Sequence, residues 1–326
     1  HIRTDSFALF AQGTWHLTER LDFTAGLRGT YEQKSAWVTR NAPLGGDAVT
    51  GAAATARRGR AGAYDSGDLN QYSTSPSGLL NLSYRFNDDL LGYATLSHGE
   101  KSGGVNLAVG SAPTAGPDSL LIGTERANNA ELGFKSTLWD RRLQLNANLF
   151  WTQVNGYQTN AYDDSNRVQY LTNAGSVRSR GVEVESTLIP IKGLTLNING
   201  SYNDVQYLSY KDAPCPPEVS LRPGAPASCD LSGHQVVGAS KWIANANGEY
   251  KWNLDNGFEP YVTASYAFRS KAVGTVEDSD YGQIPAYAVV NLSTGLRGNY
   301  QQGQWDVSLW LKNAFDKTYY TTLWTG

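Results

Sequence analysis

The stretch Leu143 to Trp151 reads Leu-Gln-Leu-Asn-Ala-Asn-Leu-Phe-Trp, and its alternation limits the fold more than any other feature of the chain. Leu143, Leu145, Ala147, Leu149 and Trp151 are apolar, while Gln144, Asn146 and Asn148 between them are amides. A strand turns successive side chains to opposite faces, so this segment has one oily face and one mostly polar face. The pattern returns about twelve times along the chain, the signature of a membrane β-barrel. Phe7, Leu9, Ala11, Gly13 and Trp15 alternate with Gln12, Thr14 and His16; Leu194, Leu196, Ile198 and Tyr202 alternate with Thr195, Asn197, Asn199 and Ser201. Near the end, Val290, Leu292 and Leu296 oppose Asn291, Ser293 and Arg297, and Trp305, Val307, Leu309 and Leu311 oppose Asp306, Ser308, Trp310 and Lys312.

Soluble sandwiches and propellers also alternate. Two features favour the membrane. The stripes run about nine to eleven residues, what a tilted strand needs to cross hydrocarbon, against about five or six in soluble strands. Aromatic residues also sit where short turns begin or end: Trp15, Phe86, Trp139, Trp252, Phe258 and Trp305. Rings at both rims of an apolar band form the girdle of an outer-membrane barrel. The reading is therefore all-β: an antiparallel, up-and-down transmembrane β-barrel.

Forty per cent of the residues are hydrophobic and the mean hydropathy is −0.42, with no long apolar run. A barrel spans lipid without one, because its strands satisfy each other's backbone groups. The net charge of −3 implies no nucleic-acid partner; basic residues cluster only at Arg57, Arg58 and Arg60, in a loop. The absence of Met and the start at His1 suggest a fragment of a longer protein. No signal peptide is visible, so localisation rests on the barrel pattern.

Connections alternate between two classes. The short ones are 18–20, 87–89, 139–142, 190–193, 253–256 and 299–303; the long ones are roughly 34–70, 102–126, 156–176, 207–240 and 271–283. In such barrels short turns face the periplasm and long loops face outside. Ser6–Leu17 then descends, Leu21–Gln33 ascends, and Trp305–Phe315 ascends, leaving Tyr319–Gly326 near the outer surface.

Several stretches, in order, resemble the barrel of TonB-dependent outer-membrane receptors: Ala25-Gly-Leu-Arg28, Gly99-Glu-Lys-Ser-Gly-Gly-Val-Asn106, Glu131-Leu-Gly-Phe134, Asn173-Ala-Gly175 with Gly181-Val-Glu183, and Asn313-Ala-Phe-Asp-Lys317 with Tyr319 and Tyr320. The resemblance runs along essentially the whole chain. It implies a 22-stranded parent barrel plugged by an N-terminal domain and energised from the inner membrane through TonB. Residues 1–326 are then part of that barrel, about twelve strands, without the plug, the first strands or the last. The resemblance also implies the outer membrane of a Gram-negative bacterium, with lipid and lipopolysaccharide as surroundings, and no cofactor.

Cys215 and Cys229 are the only cysteines and share one long external loop. An oxidising compartment makes them a disulfide rather than a two-thiol metal site. His1, His16, His98 and His234 have no metal-ligand spacing. His98 follows Ser97, but neighbours on a strand point apart, so the pair cannot act as nucleophile and base. Glu131, Glu183, Glu185 and Glu249 read as a lumen network with Arg28, Lys135, Arg180 and Arg269 rather than as catalytic carboxylates. Nothing points to an enzyme.

Rings and guanidinium groups crowd the loops and upper lumen: Tyr64, Tyr162, Tyr170, Arg178, Arg180, Tyr207, Trp242, Arg269, Tyr281 and Tyr287. Such a set suits a ferric siderophore, which joins aryl or hydroxamate groups to negative charge. Girdle or loop packing explains any single one of them better, and it is as a group that they indicate where a ligand would approach. The expected function is TonB-dependent import of a ferric siderophore. Import of cobalamin, a saccharide or an aromatic compound is the alternative, and a passive porin-like channel is the third reading.

Overall fold

The computed structural model describes residues 1–40, 64–106, 120–163, 168–226, 228–255, 257–300 and 303–323. Twelve strands form one antiparallel sheet in which each pairs with its neighbours in sequence. They are β1 (Ile2–His16), β2 (Leu21–Ala36), β3 (Leu69–Asn87), β4 (Leu90–Lys101), β5 (Glu125–Leu138) and β6 (Leu143–Asn155). The second half comprises β7 (Ser176–Leu188), β8 (Leu194–Ser209), β9 (Trp242–Lys251), β10 (Glu259–Arg269), β11 (Tyr287–Tyr300) and β12 (Gly303–Leu311). β1 and β12 each have one strand neighbour, so the sheet is an open meander. Short two-stranded ladders decorate the long connections, one of them Gln158–Asp163 against Val168–Asn173. The expected short and long connections fall at alternate ends.

Registers convert the sequence alternation into two continuous faces, because directly opposed residues in an antiparallel pair share a face. One apolar row runs across nine strands: Trp15, Phe23, Leu82, Ala94, Leu132, Leu149, Val182, Tyr202 and Trp242. A second crosses eight: Leu138, Leu143, Leu188, Leu196, Gly248, Ala264, Leu292 and Leu311. Each row starts at the short-turn end and finishes at the long-loop end, a stagger that comes from strands tilted in a barrel wall. The opposite face carries Thr14, Thr24, Asn81, Thr95 and Glu131 in one row. Its members bond across strands, Thr14 to Thr24 at 2.9 Å and Asn81 Nδ2 to Thr95 Oγ1 at 2.8 Å.

Aromatic pairs mark the short-turn end: Trp15 with Phe23, Tyr84 with Phe86, Tyr250 with Trp252 and Phe258 with Trp305. Near the same end, on the polar face, Arg297 binds Glu249 (3.0 Å), Glu259 (3.3 Å) and Asp306 (3.1 Å) and lies 4.0 Å from the Tyr261 ring centroid. Three carboxylates around one planar guanidinium tie β9, β10, β11 and β12 together. This arrangement corrects the expected partner of Glu249. Among the other members of that expected network, Tyr93 donates to Glu131 at 2.6 Å and Asn148 donates to Glu183 at 3.2 Å.

Two strand limits differ most from expectation, by four residues each. β1 starts at Ile2 rather than Ser6. β12 ends at Leu311 rather than Phe315, because Asn313-Ala-Phe-Asp-Lys317 closes a turn. The Asn313 side chain accepts from Lys317 N at 2.9 Å, and Asn313 and Asp316 have φ of 50° and 48°. Asn tolerates that left-handed geometry through its short polar side chain. The turn is clipped to β11 by Ala314 N to Val290 O at 2.8 Å and Asn313 N to Asn291 Oδ1 at 2.9 Å.

Candidate functional site

Two built structures stand at the long-loop end of the polar face. One is a cradle around the Gly99–Asn106 motif. Lys34 Nζ donates to Ser102 Oγ (2.8 Å) and Gly103 O (2.5 Å), and Ser102 also bonds Glu32. Gln71 donates to Ile122 O at 2.7 Å. A Cβ at Gly103 would collide with that carbonyl and with Gln71, so the close approach needs glycine. Asn173 brackets the far side: its Oδ1 accepts from Gly123 N (2.7 Å) and its Nδ2 donates to Gly156 O (2.7 Å). Glu125 accepts from Gln158 N at 2.7 Å. Two motifs distant in sequence thus become one ledge.

The other structure is the loop between β8 and β9. Its apolar base packs Ala174, Val177, Tyr207, Tyr210, Leu231 and Val236, with Tyr157 against Tyr207. Burial, followed by the nearby Glu125 charge, pushes the Tyr157 phenol up. Cys215 and Cys229 form the expected disulfide, beside a backbone bridge between Ala213 and Cys229. The loop is fastened to the one between β10 and β11. His234 Nδ1 lies 2.7 Å from Asp278 Oδ2, and Glu218 accepts from Ser279 Oγ (3.0 Å) and Asp280 N (2.8 Å). Burial opposes ionisation of Glu218, but those hydrogen bonds and the Arg222 charge outweigh it and hold the carboxyl below its ordinary range.

The candidate ligand residues divide on this frame. Arg269 and Tyr287 are cross-strand partners on the polar face, at the outer ends of β10 and β11, and Tyr287 stacks on Tyr319 at 4.6 Å. Tyr281 is 84% exposed on the turn between those strands. All three belong to β10, β11 and the connection between them. Tyr207 is 1% exposed and belongs to the loop base. Trp242 continues the apolar row and packs on Tyr202 at 4.8 Å, a girdle position. Arg178 and Arg180 are corrected most. Arg180 is opposed by Trp151 and Asp204, and Arg178 by Gln153 and Gln206, so both lie on the apolar face, Arg180 level with Trp151 of its outer aromatic rim and Arg178 one row further out. The alternation Arg178, Arg180, Val182, Val184 carries that signal in the sequence itself. The side chains of Tyr64, Tyr162 and Tyr170, and the whole of Arg57, Arg58 and Arg60, lie outside the described residues. The mouth's Tyr319 and the anchoring Tyr157 and Asn173 side chains were not among the expected site residues.

A wall of tilted antiparallel strands, apolar on one face, hydrogen-bonded on the other and joined by alternating short and long connections, defines the class of transmembrane β-barrels. The model of the TonB dependent receptor-like β-barrel matches residues 1–314, and the chain belongs to that family. Members of that family are receptors and transporters rather than enzymes. The pesticin receptor of Yersinia pestis is 30% identical over 201 residues, covering 62% of this chain and 26% of that protein. The ferric yersiniabactin uptake receptor FyuA from Yersinia pestis superposes with a TM-score of 0.72 at 19% identity, covering all of this chain and 43% of that one. The siderophore receptor PiuA from Acinetobacter baumannii gives 0.70 at 17%, covering 98% and 40%, and the copper transporter OprC gives 0.69 at 15%, covering 97% and 43%. At these identities the likeness speaks for the fold alone. The chain spans well under half the length of these relatives.

Proposed function

We propose that these strands are part of a 22-stranded barrel in the outer membrane of a Gram-negative bacterium, within a receptor that imports a ferric siderophore using energy delivered through TonB. Family membership over residues 1–314 carries the energised-transport half of this reading. The siderophore half draws support from relatives described as receptors for pesticin and ferric siderophores and from Arg269, Tyr281 and Tyr287 at the mouth. A guanidinium among rings suits an anionic, aryl-bearing chelate. The copper transporter shares the architecture, so fold does not select the cargo.

Uptake of radiolabelled ferric siderophores by cells with and without the receptor, and with and without TonB, tests the reading. Receptor- and TonB-dependent uptake is the expected result. Loss of cobalamin, saccharide or aromatic-compound uptake with iron chelates unaffected transfers the assignment to another nutrient. Entry that needs the receptor but not TonB makes it a passive channel. Within the mouth, Arg269→Ala is expected to weaken uptake of an anionic chelate.

A further inference from the structure

The connection between β10 and β11 leaves the wall after Arg269 and returns at Tyr287 as a narrow arm. Ala272 and Val273 pair with Ile284 and Gln283 at its stem, and Gly274 N donates to Gly282 O at 2.7 Å below its tip. The tip is a single 3₁₀ turn, Asp280–Gly282, with Tyr281 at its centre. The stem also meets the tail of the chain: a Cβ at Gly274 would stand 3.2 Å from that of Leu323. The same tail carries Tyr319, which stacks on Tyr287. Tyr281 is thus mounted on a device packed into the mouth, and whatever aims the tip aims the ring.

Asp280 and Tyr281 are both exposed, so hydrogen bonds rather than burial orient the turn. Ser279, fully buried, caps it by accepting from Tyr281 N at 3.2 Å. A serine hydroxyl has one hydrogen to give, and here it goes to Glu218 Oε2 at 3.0 Å. The other oxygen of that carboxylate accepts from Asp280 N at 2.8 Å. One carboxylate from the neighbouring loop therefore grips both residues at the start of the turn. A second crossing contact, His234 to Asp278, joins the two loops just ahead of the cap.

Glu218 is itself firmly held. It lies in the short helix Pro217–Ser220, entered through Pro216 and Pro217, whose rings fix φ. Just before them, Cys215 is bonded to Cys229. Cys229 N and O both bond Ala213, a buried member of the apolar loop base. Loop base, disulfide, prolines and carboxylate form one continuous line to the turn that bears Tyr281.

We propose that Glu218 is a positioning residue for ligand binding: from its disulfide-anchored loop it fixes the turn that presents Tyr281 at the mouth. Glu218 acts through the ring and touches no ligand. An aimed ring binds at full strength, whereas a ring on a loosened turn binds in proportion to the time it spends aimed. Affinity then depends on the redox state of Cys215–Cys229, although neither cysteine contacts the turn. The proposal rests on the siderophore reading above.

Purified full-length receptor in lipid vesicles tests it, by amide exchange without ligand and by titration with a ferric tris-catecholate, an anionic aryl chelate. Exchange at residues 280–282 is expected to accelerate in Glu218→Ala, and in wild type on reduction of the disulfide, while β10 and β11 stay protected. Reduction acts on the folded protein and needs no variant to insert. Affinity for the chelate should fall about tenfold in both cases, through loss of the charge-assisted hydrogen bonds that set the turn. Glu218→Gln should recover part of that loss, because its amide oxygen still accepts from Asp280 N. Tyr281→Ala should weaken binding as well, and adding Glu218→Ala to it should cost nothing more, since Glu218 acts only through that ring. Unchanged exchange at 280–282, unchanged affinity in Glu218→Ala, or losses that add in the double variant overturn the positioning role. A wild-type protein that leaves the chelate unbound while its exchange responds as expected overturns the aryl-chelate reading instead.

Discussion

Placing an arginine at Leu145 or at its neighbour Asn146 separates the two faces of the wall by energy. Leu145 lies on the apolar face, opposed by Ser136 and Ser186, six residues before Trp151 of the outer rim. At about 3.4 Å per residue and a tilt of about 40°, that is roughly 15 Å below the rim, near the middle of an apolar band about 25 Å tall. Arginine facing lipid at such a depth costs about 2–4 kcal/mol, a factor of roughly 30 to 1,000 in the folding equilibrium. Asn146 is opposed by Lys135 and Glu185 on the polar face. Glu183 stands on the same face of β7, so an arginine there meets water and carboxylates. Its cost should stay within about 0.5 kcal/mol. Denaturant titration of full-length Leu145→Arg and Asn146→Arg in lipid vesicles, followed by tryptophan fluorescence, measures both. Equal losses, or a larger loss at Asn146, would refute the assignment of faces. A one-residue register slip inverts a whole strand, so the outcome admits no intermediate position.

Asn173→Ala removes the bracket between Gly123 and Gly156 and leaves those backbone groups to solvent, a loss of about 0.5–1.5 kcal/mol per bond; amide exchange at residues 120–124 and 156–158 should accelerate while β5 and β6 stay protected. Reducing Cys215–Cys229 releases a constraint worth about 3 kcal/mol in the chain-entropy model for a loop of this length; proteolysis should begin within residues 215–229, and equal loss of barrel-strand protection would contradict the local role. The bond between Glu218 and the Ser279–Asp280 turn depends on ionised carboxylate. Its depressed pKa makes the contribution fully present above the unfolded glutamate value of roughly 4.3, and lost as pH falls through the lower folded value. Exchange at the Asp280 amide should therefore rise, after correction for intrinsic rates, only at such acid pH, and Glu218→Gln should flatten that dependence.

Much of the wall was legible before any coordinates, because period-two alternation is local and each strand declares its faces through its own residues. Leu143 to Trp151 needs no partner to show which side is oily. The same parity puts Arg178 and Arg180 on the outward side with Val182 and Val184. The turn at Asn313 was harder to read, since Lys312 to Phe315 keeps strand-like residues and only the side-chain bond to Lys317 breaks the extension. Arg297 announced its polar face but not its three carboxylate partners, which arrive from three other strands.

Face, turn length and strand direction are thus encoded in neighbouring residues, and the chain alone decided them. Which residues stand beside each other across strands was decided by the staggered registers, and nothing within nine or ten residues specifies a stagger. That is why Trp15 and Trp242 share one row from opposite ends of the sheet. It is also why Lys34 meets Gly103, Asn173 meets Gly123, and Glu218 meets Asp280: each contact forms only after the strands beneath have fixed where the loops begin.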